Sequence, residues 1–502
     1  MINKTTQLST LFLLVLTIAF IPDGLSSTLS TDEVRWLNRI NYGINSQIIN
    51  SYHADGKNQF LDKQLSNKVD SSLPDHVKKK LSELLIENKN SENLASDIVN
   101  EMSRLRHLSK QEKTAGRKSI HKLKQQPLNE AIERHLFRAL YANNQLKEQL
   151  TWFWLNHFSV FGNKGGVHWA VADYEDKAVR PYVLGKFKDL LIATLRHPAM
   201  LVYLDNSHNV AGKINENFAR ELLELHTLGV DGGYSQQDVQ ELARILTGLG
   251  VNWTNKHPKI KNNLKSFYVR DGNFEFNPNQ HDFGDKAFLG KTITGAGLAE
   301  IEQVANLLSR HPSTARFISK KLAVYFVSDT PSAALVEQMA KTYTATDGDI
   351  AAILRVAFDS KEFAESLGKK VSDPMHYIVA TLRFVYDGYP IADVTPVMQW
   401  LKTLDEPLYG HLTPDGYGMT EKDWVSPSQL TKHFEIAKQI VSNRLSDDPK
   451  AFNLKTQKLS ESPLYKVIEP TLSEKTKAAL AKAVSPEEWN LFLLSAPEFA
   501  YR

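Results

Sequence analysis

Hydrophobic residues recur every three to four positions along most of the chain, which is the spacing of a buried helix face. Two such helices are predicted within 33–65, on either side of a turn at 42–45. The same spacing predicts further helices over 75–87, 128–169, 182–195, 216–228, 236–247, 297–308, 313–325, 332–343, Ile350–Phe358 and 374–385. The fold is therefore predicted to be mainly α, a large multi-helix body.

The periodicity changes to strand-like alternation in one short region. Residues 267–270 and 274–276 alternate, and a second short run lies at 287–289. We expect a small β-hairpin insert around 265–295. The predicted organisation is a signal peptide at 1–26, an N-terminal helical segment at 27–100, a basic connector at 101–127, a central helical core at 128–265, the hairpin insert at 266–295 and a C-terminal helical region at 296–502.

The first residues have the layout of a secretory signal peptide. Lys4 precedes an apolar run over 11–21, and the small residues Gly24 and Ser26 follow it. A run of about eleven residues is too short to span a bilayer, which takes about 18 apolar residues, and no later segment reaches that length. An uncleaved anchor is the alternative, but Pro22 ends the run abruptly. The mature protein is expected to be periplasmic or secreted, with no transmembrane segment.

Composition and the absence of known motifs exclude several classes of site but do not identify the reaction. The chain has 60 Lys and Arg against 57 Asp and Glu, a net charge of +3, so no global field favours nucleic acid, and no zinc-finger or RNP motif is present. The absence of cysteine excludes disulfides, thiolate metal sites, iron–sulfur clusters and thiol catalysis. The 23 Phe, 17 Tyr and 8 Trp can fill a large core. Walker, dinucleotide-binding, nucleophile-elbow and zinc-protease motifs are also absent.

One stretch departs from this balanced charge. Residues 104–124 carry eight Lys or Arg and a single acid, Glu112, with few large apolar residues. Such a run is typical of an exposed, solvated connector. The sharper alternative is electrostatic contact with an acidic polymer or with lipid headgroups.

The densest polar group lies in a predicted helix between Asn215 and Gly229. Asn215 is a suitable N-cap, and Gly229 is a suitable glycine just past the helix end. Helical spacing gives a core stripe of Phe218, Leu222 and Leu225 and a neighbouring polar stripe of Asn217, Arg220, Glu221 and Glu224. Two carboxylates and a guanidinium are therefore expected on one face of this helix.

The carboxylates of this stripe are candidates for chemistry. An Arg220–Glu224 ion pair beside solvated glutamates is the simpler interpretation. The dense apolar surround favours partial burial instead, which would perturb the pKa values of Glu221, Glu224 and the nearby His226. These groups could then act as general acid and base, or as hard ligands for a divalent metal of unknown identity.

Two polar pairs upstream are candidates for the same site. Asp205 and Asn206 end an apolar segment and are expected at the rim of a pocket floored by the glutamate helix, although Asp205 is also typical of a turn. Asn156 and His157 lie inside an aromatic helix. A histidine in such a helix is typically a hydrogen-bonded core residue, which is the simpler interpretation. Because Asn156 and His157 cannot both be buried without hydrogen-bond partners, the glutamates are their expected partners in the functional alternative.

His281 and Asp282 supply the last candidate pair. They follow a predicted strand and precede a glycine turn, so rigid backbone can direct them into a cleft. A local turn closed by Asp282 is the simpler alternative. Asp349 lies in an Asp-Gly-Asp sequence that suggests calcium, but the downstream ligands of a calcium loop are missing. Asp349 is therefore predicted to be the N-cap of the helix at Ile350–Phe358.

Taken together, these motifs resemble one family of bacterial proteins, grouped as domain of unknown function 1800. The resemblance is carried by Arg35-Trp36-Leu37-Asn38-Arg39, Asn156-His157-Phe158, His197-Pro198-Ala199-Met200, the run 215–229, His281-Asp282 and Pro414-Asp415-Gly416-Tyr417. It covers nearly the whole mature chain, and the run 215–229 is its most specific part. The resemblance implies an exported protein, often accompanied by a partner of the alkaline-phosphatase-like class, and it implies no particular reaction.

Two classes of function remain open. The first is a carboxylate-dependent or metal-dependent hydrolase or transferase acting on an extracytoplasmic polysaccharide or another surface polymer, since paired carboxylates suit sugar chemistry. Its catalytic residues would be Glu221, Glu224, His226, His281 and Asp282, and its substrate-binding residues Asn156, His157, Asp205, Asn206, Asn217 and Arg220. The second is a non-catalytic periplasmic assembly or export partner that binds an anionic polymer or a partner protein. In an enzyme these side chains should converge on one concavity, and in a partner protein they should be buried and mutually satisfied.

Overall fold

Polar capping residues set where the N-terminal helices begin. Ser30 Oγ accepts from the Glu33 backbone N–H while the Glu33 carboxylate accepts from the Ser30 N–H, and this capping box starts α1. The computed structural model describes residues 29–66, 72–107, 109–254 and 256–502. The predicted signal peptide lies outside these described residues. The first helices are α1 Thr31–Ile40, α2 Ser46–Gln64, α3 Asp75–Ser82, α4 Leu85–Asn88, α5 Ser91–Arg106 and α6 Lys110–Tyr141.

The basic stretch that we predicted as a connector is helical. It covers the end of α5 and the first half of α6, and α6 continues through Pro127 into the core. The two helices pack closely where Gly116 lies against Leu105, since a Cβ at Gly116 would overlap the Leu105 side chain. Apolar residues are few here because most described side chains between Gly116 and Pro127 are at least partly exposed on the surface of a helix.

The predicted long helix over 128–169 is divided into three. Asn144 caps a new helix by accepting from the Lys147 N–H at 3.0 Å, and the glycine-containing segment after Phe158 separates that helix from the next. Trp154 is fully buried in the middle, where its indole N–H donates to the Val183 carbonyl at 3.2 Å. The central elements are α7 Gln145–His157, α8 Val167–Asp173, a π-helical segment Tyr174–Val179, α9 Phe187–Leu195, α10 Pro198–Tyr203, α11 Asn217–Glu221, a second π-helical segment Leu222–Thr227 and α12 Gln236–Ile245.

The small β insert is confirmed, with two strands more than the three that the sequence predicts. The strands are β1 Leu249–Val251, β2 Val269–Asp271, β3 Phe274–Phe276, β4 Lys286–Phe288 and β5 Lys291–Ile293. β2 and β3 form the predicted hairpin, and β1 pairs antiparallel with the other edge of β3, so that Leu249 and Val269 both face Phe276 across the ladder. β4 and β5 form a separate antiparallel pair. β1 and β5 were missed because Leu249-Gly250-Val251 and Lys291-Thr292-Ile293 lack the apolar–polar–apolar alternation that identifies β3.

Helices also make up the C-terminal part, which confirms the mainly α fold. They are α13 Ala299–Ser309, α14 Pro312–Phe326, α15 Ala333–Ala345, α16 Ile350–Phe358, α17 Lys361–Ser366, α18 Pro374–Tyr386, α19 Thr395–Thr403, α20 Glu421–Trp424, α21 Pro427–Ser442, α22 Pro463–Ile468, α23 Glu474–Leu480, α24 Pro486–Leu494 and α25 Pro497–Ala500. Asp349 caps α16 as predicted, accepting from the Ala352 N–H at 3.0 Å. α14 packs against the second π-helical segment. Among the described helices, none combines the length and the apolar character needed to cross a membrane.

Candidate functional site

The predicted glutamate helix changes its geometry halfway along. After α11 the chain continues as a π-helix, in which the Leu228 N–H donates to the Leu223 carbonyl at 2.8 Å and Thr227 Oγ1 donates to the Leu222 carbonyl at 2.6 Å. The wider turn rotates the following side chains relative to an α-helix. Leu225, predicted to face the core, is therefore only partly buried. Single π-helical turns are found frequently at functional sites.

The predicted Arg220–Glu224 ion pair is absent. Arg220 donates instead to Glu216 Oε2 and to Gln236 Oε1, each at 3.0 Å. A long side chain on a helix leans toward the N-terminus, so the acid four residues earlier is the better placed partner. Arg220 therefore belongs to a structural contact between α11 and α12, and its predicted role in substrate binding has no support in this geometry.

Glu221 and Glu224 are left without a counter-ion. Neither carboxylate forms a hydrogen bond or an ion pair with any described residue, and both are half-buried. Burial and the charge of Glu224 raise the pKa of Glu221, with Arg220 opposing the change and Asp415 adding to it. Glu221 is thus a carboxyl group whose protonated form is favoured by its surroundings.

Two residues that the functional assignment did not include are connected to Glu221 electrostatically, Asp415 directly and Lys321 through Asp415. Lys321, on α14, places its amine 5.7 Å from the centroid of the Phe317 ring and forms no ion pair with any described residue. Burial lowers the pKa of Lys321 to about 8, although the Asp415 carboxylate opposes this. Asp415 accepts from Thr413 Oγ1 at 2.6 Å in an exposed loop. Asp415 appears in the sequence analysis only within the motif Pro414-Asp415-Gly416-Tyr417, and no local pattern showed that this loop reaches the glutamate helix.

The loop that carries Asp415 is held from two sides. Asn156 donates to the Tyr417 carbonyl at 2.9 Å and accepts from the Tyr417 N–H at 2.6 Å. Tyr203, at the end of α10, donates its hydroxyl to the Leu412 carbonyl at 3.0 Å. Asn156 was predicted to bind substrate, but both ends of its amide are used by the protein. It is a positioning residue for the loop.

Two of the three predicted histidines, His157 and His226, lie inside the core. The rings of His157 and His226 are 5.9 Å apart, and His157 Nε2 contacts the His226 carbonyl at 3.1 Å. Burial lowers the pKa of His226 to about 3 and that of His157 well below its usual value, and the Lys321 charge lowers both further. Both rings are therefore neutral at pH 7. His226 is too deeply buried for the predicted catalytic contact, and His157 for the predicted substrate contact.

The predicted rim residues Asp205 and Asn206, and Asn217 from the polar stripe, bond mostly to other parts of the fold. The buried Asn206 amide donates to the Leu246 and Leu249 carbonyls at 3.1 and 2.9 Å. Asn217 donates to the Leu204 carbonyl at 3.2 Å. Asp205 adopts a left-handed conformation with φ 59°, and its carboxylate pairs with Lys164 at 2.9 Å. These contacts tie α10, α11 and β1 together and leave Asp205 as the half-exposed member of the rim.

His281 and Asp282 belong to a separate, closed network. The buried His281 ring contacts Glu300 Oε1 through Nε2 at 2.9 Å, and Lys286 pairs with the other Glu300 oxygen at 2.6 Å. Asp282 pairs with Arg244 at 2.8 Å. None of these bonds reaches the Glu221 group. The predicted catalytic role of the pair therefore has no geometric support, because its polar groups are already satisfied where the insert joins α12 and α13.

The geometry also bears on the suggested divalent metal. Within the ranges that the structure describes, no group of three or more His, Asp or Glu side chains is arranged to hold a metal ion. Glu221 and Glu224 could supply at most part of such a ligand set. The arrangement that remains is an acid–base group: two unpaired carboxylates on one helix, the Lys321 amine and the Asp415 carboxylate.

The comparisons with known proteins agree with the motifs. A family model described as "Protein of unknown function (DUF1800)" matches residues 35–501. No curated protein and no solved structure matches the chain. The family match confirms the resemblance over nearly the whole chain, and its description assigns no reaction.

Proposed function

For this chain, which belongs to the DUF1800 family of proteins of unknown function, we propose the role of an exported carboxylate-dependent hydrolase or transferase that acts on an extracytoplasmic glycan or another surface polymer. The observation that carries the proposal is the pair of half-buried carboxylates, Glu221 and Glu224, that no described residue neutralises. Lys321 and Asp415 complete the site.

The pairing of neighbouring charges supports a functional role for Glu221 and Glu224. Arg220 is paired with Glu216, and Lys164 is paired with Asp205, so the surrounding elements do neutralise charges where they can. Like charges in a half-buried position cost stability. Proteins retain such groups mainly where a ligand or a reaction uses them.

The site separates its acids into different environments. Glu221 is half-buried and its pKa is raised, so it can hold a proton for a leaving group. Asp415 lies in an exposed loop, where water solvates the charged carboxylate. A pair of carboxyl groups in unequal environments is the arrangement that glycoside-cleaving enzymes use for acid and base roles. Lys321 adds a positive charge that can stabilise an anion developing between them.

Export of the protein is part of the proposal. It is supported by the sequence alone, through Lys4, the apolar run at 11–21 and the small residues after it. Protein recovered from the periplasm or the medium should begin near residue 27. An N-terminal sequence that still starts at Met1 would contradict export with cleavage.

The enzymatic proposal is tested by substituting one carboxylate at a time. Purified mature protein is screened against a panel of bacterial and plant polysaccharides, and released reducing ends are measured. Glu221→Gln should lower the rate by about 100-fold or more, the usual contribution of a positioned acid. The melting temperature should stay unchanged or rise, because Gln removes a like-charge repulsion. The matched control is Glu302→Gln, an exposed glutamate on α13 without a partner among the described residues.

A second candidate function has its own supporting observations. The His281–Glu300–Lys286 network and the Asn156 clamp are satisfied structural contacts, as expected for a non-catalytic assembly or export partner. The basic stretch at 104–124, which covers the end of α5 and the first half of α6, could bind an anionic polymer or a partner of the alkaline-phosphatase-like class. Full cellular function in Glu221→Gln and Glu224→Gln proteins, with no activity found in the wild-type protein, would favour this candidate over the enzyme.

A further inference from the structure

A cavity lies away from the glutamate site, between the β2–β3 turn, the start of α5, the first π-helical segment and α9. Its volume is about 450 Å³, within the range of pockets that hold small molecules. Acidic, basic and amide side chains line it, and some of these side chains form no hydrogen bond or ion pair with any described residue. None of its lining residues belongs to the Glu221 group.

Asn273 is the most telling of these groups. It follows Gly272 in the β2–β3 turn, and only 4% of its surface is exposed. Its side-chain amide forms no hydrogen bond with any described residue, and its Nδ2 atom is fully buried. Because Nδ2 has no accessible surface, a ligand in the cavity can reach the amide only through Oδ1, which forms no hydrogen bond with any described residue and can accept one from the ligand. Gly272 allows the turn to pack directly against Glu92, because a Cβ at this position would overlap the Glu92 carboxylate.

Unpaired charges of both signs face the same space. The Arg196 guanidinium lies 5.2 Å from the centroid of the Phe274 ring and has no ion pair among the described residues. Glu92 and Asp189 also line the cavity, and neither forms a hydrogen bond or an ion pair with a described residue, although Lys177, another lining residue, interacts electrostatically with Glu92. Asp173 differs, because it is already occupied by Ser91 Oγ at 2.8 Å and by a lysine amine at 3.0 Å. The lining as a whole has four carboxylates, those of Glu92, Asp173, Asp189 and Asp271, against the two cations Lys177 and Arg196, so its net negative charge favours a cation.

His197 supplies a neutral hydrogen-bond donor. Its Nδ1 accepts from the Ala199 N–H at 3.2 Å, which leaves the proton on Nε2. The ring is buried against Tyr174 and lines the cavity. Together with the Asn273 amide, this N–H suits hydroxyl groups, which both donate and accept hydrogen bonds.

We propose that this cavity binds a small hydroxylated ligand carrying a protonated amine, as an amino sugar unit does. The Glu92 and Asp189 carboxylates take the ammonium group, and Asn273 and His197 take the hydroxyls. Polyanions are disfavoured by the carboxylates. A bare divalent cation is disfavoured as well, because no group of three acidic or histidine side chains in the described ranges is arranged to hold one. The inference does not depend on the proposed function, since the two sites share no residue.

Binding of glucosamine to the full mature chain tests the proposal. Titration calorimetry at pH 7 compares glucosamine with glucose, which lacks the amine, with N-acetylglucosamine, which lacks the charge, and with glycine, which lacks the hydroxyls. Glucosamine should bind about tenfold more tightly than each of the others, because only it offers both charge-assisted and neutral hydrogen bonds. Equal affinity for glucosamine and glucose, tighter binding of glycine, or no measurable binding of glucosamine would overturn the proposal.

Variants locate the binding and separate it from folding. Asp189→Asn and Glu92→Gln should each weaken glucosamine binding about threefold or more, and Asn273→Ala should weaken it too, at unchanged melting temperature. The control Asp447→Asn removes an exposed carboxylate without a described partner and should leave the affinity unchanged. Glu221→Gln should also bind normally, so failure of the glycan-active enzyme and failure of this site give different results. Binding that survives both carboxylate variants would place the ligand elsewhere.

Discussion

Single residues show most clearly how a polar side chain can be mistaken for a ligand-binding one. Asn156, Asn206 and Asn217 were all candidates for substrate contact, and each amide instead bonds to backbone of another element. Buried amides are well suited to this task because they donate and accept at once. The unpaired polar groups, Glu221 and Lys321, are therefore the more informative ones.

Removing the Asn156 clamp tests its positioning role. Asn156→Ala leaves both the Tyr417 N–H and the Tyr417 carbonyl without their side-chain partner. Loss of a partly buried pair of this kind should cost about 1–3 kcal/mol of unfolding free energy in urea titrations. Asn129→Ala, at an exposed asparagine on α6, is the control and should cost little. If the two variants unfold at the same urea concentration, Asn156 does not hold the loop.

The residues of the candidate site could be predicted only in part. Glu221 and Glu224 are found by helical spacing and by the density of polar residues around them. Lys321 and Asp415 are not, because the electrostatic contacts of Lys321 with Asp415 and of Asp415 with Glu221 depend on how α14 and the 412–417 loop pack. The clamp between Asn156 and Tyr417 joins residues 261 positions apart, and no local pattern encodes such a contact.

Helices were predicted well where their ends are set by capping residues that lie next to them in the sequence. Ser235 starts α12 with a capping box, and Asp349 starts α16. Gly229 ends the glutamate helix at φ 82°, a conformation that glycine adopts without strain. The π-helical turn at Leu222–Thr227 was not predicted, because its composition is that of an ordinary helix and its extra residue is accommodated by packing against α14.

The basic surface of α6 should contribute to binding rather than to folding. Lys118 and Lys122 are exposed on α6, four residues apart. The double variant Lys118→Glu/Lys122→Glu should keep the wild-type melting temperature. It should bind dextran sulfate several-fold more weakly at low salt, with the difference lost near 1 M salt, where the Debye length is about 3 Å.

The control for the α6 variant is a second double variant that makes the same change of charge in another part of the chain. Lys450→Glu/Lys455→Glu reverses two exposed lysines in the C-terminal region, and it should affect dextran sulfate binding less. Equal losses in the two double variants would show a response to net charge alone. A clear fall in melting temperature for the α6 variant would show that these lysines are packed.

At the scale of the whole molecule, burial keeps a set of histidines neutral in several separate parts of the described chain. Burial lowers the pKa of His168, His197 and His433 to about 4, that of His226 to about 3, and those of His157 and His376 well below the usual value. The unfolded chain takes up protons on these residues near pH 6.5, and the folded chain does not. The unfolded state therefore binds more protons between about pH 6.5 and the folded pKa values.

This proton difference predicts how stability depends on pH. Because stability rises with pH wherever the unfolded state binds more protons, the free energy of unfolding should fall steadily as the pH is lowered from 7 to 5. Each such histidine contributes up to about 1.4 kcal/mol per pH unit in this window. His433→Gln removes one of them, so its urea-unfolding free energy should depend less steeply on pH. His208→Gln, at an exposed histidine, should keep the wild-type slope. A wild-type stability that is flat from pH 7 to 5, or identical slopes in all three proteins, would mean that these rings accept protons in the folded state.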